Sequence, residues 1–207
     1  NFDFKKKIGL FNFNKIPKLD YIVLSAGIAK YNLIKDFNEK IFDEVININL
    51  IQTSKFVGFL VKKNKLNEYA SIVVISSISG SKMAFKLNYA YSISKAAISH
   101  LSRIMAVHHG RQNIRVNCVA PGHVYGAFPN RFKKMENDWR ELRKKAGPLG
   151  TEGTAWDVAW AVVYLASDEA KWVTGVILPV DAGVQAASPL SMLGDIIGSD
   201  EPKSNLY

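Results

Sequence analysis

Apolar and polar positions along the chain fall into blocks that predict strands and helices in turn. Leu19-Asp-Tyr-Ile-Val-Leu24 reads as a strand, and Ser71-Ile-Val-Val-Ile-Ser76 as a buried one. Ile114 to Ala120 reads as another. Between the first two, residues 37–65 predict one long helix, because Ile41, Val45, Ile48 and Ile51 recur at helical spacing. A further helix runs from Tyr91 to about His109, with Ala96, Ala97, Ile98 and Leu101 in its first half. Another runs from Thr154 to Ala166 and turns Val158, Ala159, Val162, Val163 and Leu165 to the core. Residues 1–15 predict the end of a crossover and a short helix. Residues 184–207 form a tail that docks on a neighbouring subunit or stays loose.

Composition narrows the classes. A chain of 207 residues suits a single domain with a full core. No apolar run approaches the ~18 residues of a membrane span, and residues 1–15 lack the apolar centre of a signal peptide. The single Cys118 excludes an internal disulfide and suits a reducing compartment, so a cytoplasmic location is expected. The net charge of +9 raises the question of nucleic acid. The excess is a scattered lysine bias: residues 1–102 hold 15 Lys and no Arg, whereas all four Trp lie after residue 138. A nucleic-acid face interleaves Arg with exposed aromatics, so no nucleic-acid partner is expected. The shift in composition near residue 100 leaves open a different origin for the two halves.

Tyr91 and Lys95 are four apart on the predicted helix and so share one face. Ser76 and Ser77 close the preceding strand, and a hydroxyl there can converge with that pair. A free phenol titrates near ~10, and a neighbouring ammonium favours its anion, which suits Tyr91 to acid–base work. Further runs follow in order: Leu24-Ser-Ala-Gly27, Ile48-Asn49-Leu50, Ser77-Ile-Ser-Gly80, Ile114-Arg-Val-Asn-Cys-Val-Ala-Pro-Gly122 and Val173-Thr-Gly-Val-Ile-Leu-Pro-Val-Asp-Ala-Gly183.

With these motifs, residues 16–183 resemble the short-chain dehydrogenase/reductase family. The resemblance implies an α/β fold, a Rossmann-type doubly wound parallel sheet, in a single domain over 1–207. It implies an oxidoreductase that interconverts a secondary alcohol and a ketone with NAD or NADP. Tyr91 would be the acid and base, Lys95 would lower its pKa and bind the nicotinamide ribose, Ser77 would hold the carbonyl, and Asn49 would anchor a relay water. Ser77 lies one residue further from Tyr91 than is usual, which keeps Ser76 and Ser79 as alternatives. Ala26, Gly27, Pro121, Gly122 and Val124 join Tyr91 and Lys95 as expected cofactor contacts, and Gly126 stands where the family commonly has Thr. Ser25-Ala26-Gly27 departs from the family's Asn-Asn-Ala-Gly, and a plain loop glycine is the competing reading there.

Residues 123–150 correspond to the family's substrate lid, with an amphipathic helix packing on its own domain as the equal alternative. Ser79, Tyr89 and His123 are the substrate-side candidates. No metal site is expected: His108 and His109 are adjacent and read as a solvated face. The expected partners are a small alcohol or carbonyl compound and further copies of the chain, as a homodimer or homotetramer through helices near 37–65 and 89–109; no membrane partner is expected. A dinucleotide-binding unit opens with a glycine-rich turn, and none precedes Asp20. On the resemblance the sequence is therefore expected to be N-terminally incomplete by roughly 60 residues. The competing reading is a non-catalytic subunit or scaffold on this fold.

Overall fold

The computed structural model describes residues 12–126, 137–188 and 191–197. Its strands are β1 Leu19–Leu24, β2 Leu66–Ile75, β3 Arg115–Pro121 and β4 Ile177–Val180. They form one parallel sheet in sequence order, so each connection crosses over through helix. The first crossover holds α1 Glu39–Ile46, a π-helical stretch Asn47–Gln52 and α2 Thr53–Lys62. The second holds α3 Tyr89–His109. The third holds α4 Asn137–Lys145 and α5 Ala155–Ala166, and α6 Leu193–Ile197 follows β4.

Strand alternation divides the core. Ile72 and Val74 of β2 point to one side, where α2 and α3 supply Val57, Leu60, Ile98 and Met105. Val73 points to the other and meets Val119 and Leu165, with Val158 and Val162 of α5 packed around them. Both faces of β2 are thus covered, which is why it reads as a continuous apolar run. This is a doubly wound α/β sheet, as the resemblance implies. Helix α5 lies over β2, β3 and β4, and on its side of β1 Tyr21 and Val23 are 61% and 47% exposed.

The structure corrects several boundaries. The second strand starts at Leu66, not Ser71, because Leu66 pairs with Leu19 before the register slips and Tyr21 meets Ser71. The slip buckles the polar Asn67–Tyr69 stretch and hides the strand from a pattern search. The predicted 37–65 helix starts at Glu39, capped by the Asn38 side chain, and stops at Lys62. Val163 does not face the core; it is 53% exposed, because Val158, Ala161, Val162 and Leu165 form the stripe against the sheet. His109 is buried, with Nδ1 2.9 Å from Gln112 Oε1, so only His108 lies on a solvated face. In the described part of the tail, Val184 is buried and α6 packs on α4 of its own chain.

Two residues of the 114–122 run build the scaffold. Arg115 donates from Nη1 to Leu165 O at 2.7 Å and from Nη2 to Ser167 O at 2.9 Å, closing the C-terminus of α5. Asn117 bonds Val173 O at 2.8 Å and accepts from the Val176 N–H at 3.2 Å, fixing the approach to β4.

Tyr69 sits in the buckle with φ of 65°, a left-handed conformation that is costly for a bulky residue, and it is 71% exposed. Tyr69→Gly relieves the strain and loses little packing. Offset by the entropy of the glycine, it should stabilise the fold by about 0.5–1 kcal/mol, read as a higher urea midpoint at unchanged slope.

Candidate active site

The C-terminal end of β2, the turn that follows and the first turns of α3 form the site. The Ser77 side chain caps the short turn Ile78–Gly80 by accepting from the Ser79 N–H at 3.3 Å, and the two hydroxyls lie 3.0 Å apart. The turn presses on α3. A Cβ on Gly80 would fall 2.3 Å from the carbonyl carbon of Lys95 and 2.6 Å from Ala96 N, so only a hydrogen fits. This contact sets Ser77 beside the phenol of Tyr91, whose pKa it acts to lower. Ser76 points elsewhere: its Oγ lies 2.8 Å from Lys95 O and 2.6 Å from Ser99 Oγ, inside the seam between strand and helix. Of the three serines considered, Ser77 is therefore the one against Tyr91, with Ser79 behind it.

Lys95 follows one turn later and is buried. Its Nζ donates to Ile75 O at 2.8 Å and lies 5.7 Å from the centroid of the Tyr91 ring. Burial pulls its pKa from 10.5 to about 8, a shift only partly countered by Cys118. Burial also pushes the Tyr91 phenol above its ordinary value, against the lowering effect of the Ser77 hydrogen bond. The ammonium was expected to draw the phenol's pKa down. Instead desolvation raises it, the lowering influence comes from Ser77, and Lys95 donates to the strand carbonyl.

Asn49 enters from the π-helical stretch, fully buried. Its Oδ1 accepts from the Ile28 N–H at 2.8 Å, and its Nδ2 donates to Ile28 O and to Ser94 Oγ, each at 2.9 Å. The side chain thus clamps the loop after β1 to the helix that carries Tyr91. Asn47, two residues earlier, instead accepts from Gln52 Nε2 at 2.9 Å. Gly27 is beside the clamp: a Cβ there would lie 3.3 Å from both Asn49 Oδ1 and Lys95 Nζ. Bare backbone at that point leaves room next to the ammonium, which favours a close-approach role over a plain loop glycine.

The remaining candidates separate. Pro121 ends β3, and Gly122 packs so tightly on the next loop that a Cβ would be 2.6 Å from Asp181 Cβ. Val124 pairs with Gly153, and the His123 carbonyl accepts from the Gly153 N–H at 3.0 Å. The His123 ring meets Phe85 edge-on at 6.3 Å, and burial, then the charge of Arg143, holds its pKa below the ordinary value. Tyr89 stacks on Phe42 at 6.0 Å and tilts against Phe37 at 6.1 Å, so it ties the start of α1 to α3. In 123–150, Phe128, Arg131, Lys133, Lys134 and Met135 lie outside the described residues. The described part joins an ion cluster that charge pattern alone does not reveal: Glu152, just beyond the span and with its side chain nearly fully buried, pairs with Arg140 and Arg143 at 3.0 Å each. Arg140 also lies 4.0 Å over the Tyr125 ring. Among the described residues no His, Cys, Asp and Glu cluster could hold a metal ion, and no helix is long and apolar enough to cross a membrane.

Comparison with known proteins bears on the family and the fold. A family model described as enoyl-(acyl carrier protein) reductase matches residues 12–185. The chain belongs to the short-chain dehydrogenase/reductase family. A 3-oxoacyl-(acyl-carrier-protein) reductase of Rickettsia felis is 36% identical over 172 residues, covering 83% of this chain and 69% of that protein. The structure of a short chain dehydrogenase family protein from Francisella tularensis superposes with a TM-score of 0.80 at 27% identity, over 89% of this chain and 78% of that one. A 4-hydroxyisoleucine dehydrogenase complexed with NADH gives 0.68 at 30% identity, over 82% and 70%. The protein is thus a short-chain oxidoreductase that depends on NAD or NADP, and the scaffold reading gives way to the enzyme. The residues present fit the nicotinamide end of that coenzyme: an ammonium and a phenol stand beside the gap left by Gly27.

The buried ammonium makes stability depend on pH. Between about 8 and 10.5 the unfolded chain holds a proton on Lys95 that the folded chain has lost, so stability rises with pH across this window and the burial cost is complete below it. Lys95→Met removes the dependence. Relative to that variant, the wild type should gain up to about 3 kcal/mol between pH 7 and pH 10.5. Parallel denaturation curves for the two proteins over this range would show instead that the ammonium is not desolvated.

Proposed function

We propose that the protein reduces a ketone to a secondary alcohol, and catalyses the reverse oxidation, with Tyr91 as acid and base. The observation that carries this reading is the contact of the Ser77 hydroxyl with the Tyr91 phenol, one helical turn before the buried Lys95. Because burial keeps the phenol protonated near neutrality, its O–H is a donor there. Ser77 would hold the substrate oxygen and Tyr91 would give it a proton. Lys95 would bind the ribose with N–H groups beyond the one that Ile75 O takes, and Asn49 would hold the relay water that the family resemblance implies. Ala26, Gly27, Pro121, Gly122 and Val124 would line the nicotinamide end. The coenzyme supplies or accepts the hydride.

Ser79 supports Ser77 from behind. His123, set against Phe85, is the side chain we assign to the substrate side, with 123–150 as its cover. The 3-oxoacyl group in the name of the Rickettsia felis relative is the first ketone to try. A reducing compartment, the cytoplasm, accords with the buried thiol of Cys118.

Tyr91→Phe keeps the ring and its packing and removes the proton. Turnover of an acetoacetyl thioester with NADPH or NADH should fall by about 10²–10⁴-fold, while coenzyme affinity by fluorescence titration stays within about twofold. Turnover close to that of the wild type would sink the assignment.

We also propose a homodimer or homotetramer. Ile93, Ile104 and Val107 on α3 are exposed, as are Ile51 and Val61 on the facing helical crossover. A second apolar stripe on α5 holds Trp156, Trp160, Val163 and Tyr164, at spacings that share one helix face. Light scattering should give a multiple of the chain mass, and Ile104→Glu or Trp160→Glu should lower it. A wild type that runs as a monomer at micromolar concentration would overturn this.

A further inference from the structure

We propose that Ser94 is a positioning residue for the reaction, setting which end of the Asn49 amide faces Lys95. Ser94 precedes Lys95 on α3 and its side chain has no access to solvent. Its hydroxyl has one proton, and that proton is committed: Oγ donates to Tyr91 O at 2.7 Å. Toward Asn49 the oxygen can therefore offer only lone pairs, and it accepts from Nδ2 at 2.9 Å. The NH₂ end of the amide is thereby fixed toward Ser94 and Ile28 O, and the carbonyl end toward the Ile28 N–H. Oδ1 uses one lone pair on that N–H, and the other remains on the side of the gap at Gly27, where Lys95 Nζ also lies. A flipped amide would set two acceptors, Asn49 Oδ1 and Ser94 Oγ, against each other, and would point an N–H at another N–H at Ile28. Ser94 thus links the backbone of the Tyr91 turn to the orientation of a residue on another element. The inference rests on the roles proposed above for Tyr91 and Asn49.

The test combines Ser94→Ala, Asn49→Ala and the double variant in the full-length protein, with Ser94→Cys as a shape-preserving fourth. Alanine suits a helix interior, so the fold should survive. In Ser94→Ala the amide of Ile28 should exchange with solvent about tenfold faster, a readout independent of activity. With an acetoacetyl thioester as probe and both coenzymes tried, kcat should fall about tenfold with KM nearly unchanged, and the acidic limb of its pH profile should move. Ser94→Cys should lie between Ser94→Ala and the wild type. Adding Ser94→Ala to Asn49→Ala should change kcat by less than about twofold, because the two act as one unit.

Unaltered exchange at Ile28 and unaltered kcat in Ser94→Ala would overturn the proposal. So would a full tenfold loss that persists in the Asn49→Ala background, which would show Ser94 acting without Asn49. A lower melting temperature with an unmoved pH profile would mark a purely structural serine and overturn it too. If Asn49→Ala itself leaves kcat intact, the fault lies in the reading of the site. If Asn49→Ala loses kcat and Ser94→Ala does not, only the present inference fails.

Discussion

The site depends on one close packing contact, the turn after β2 against the backbone of α3. At Gly80 the two segments approach to a distance that no side chain tolerates. That approach brings Ser77 to the Tyr91 phenol, lets Ser76 reach the Lys95 carbonyl and aligns the Lys95 ammonium with the Ile75 carbonyl. Strand end, turn and helix thus act as one block whose parts cannot shift separately. A loop could not hold these groups as closely.

The block is costly to assemble. It buries an ammonium, several hydroxyls and a carboxamide, and each group needs its partner. Ser76, Ser99 and the Lys95 carbonyl satisfy one another, and Asn49, Ser94 and Ile28 do the same. Asn49 is able to join because the helix there widens into a π-helical stretch, which buries Ile48, Asn49 and Gln52 together. Such widened turns often mark functional sites, because the added residue re-aims a side chain that a regular helix would place elsewhere.

Much of this was legible in the sequence. The apolar runs at 19–24 and 71–76, and the four-residue spacing of Tyr91 and Lys95, each encode a geometry that a single periodicity captures. Asn49 and Ser77 were found through neighbouring residues rather than through their own chemistry. Other features were hidden for definable reasons. The start of β2 has one core residue, Leu66, followed by the polar Asn67–Tyr69 buckle, and that interruption leaves no alternating side-chain pattern to read. Val163 was misplaced because α5 is apolar on most sides, so periodicity cannot choose its inner face. The Glu152 cluster joins residues that read as ordinary surface charge until α4 sets Arg140 and Arg143 against Glu152. The raised pKa of Tyr91 also lay out of reach, because it reflects desolvation, which spacing does not encode.

Arg115 and Asn117 carry a different lesson. Both sit in the 114–122 run, one of those that carry the family resemblance, yet one closes α5 and the other steers the chain into β4. The part of the sequence easiest to recognise therefore records how the framework is braced rather than what reaction it performs. A descendant that had lost the phenol at position 91 would be under no pressure from that loss to give up either brace. It would still be identified as kin at a glance, so kinship and competence have to be read from separate residues.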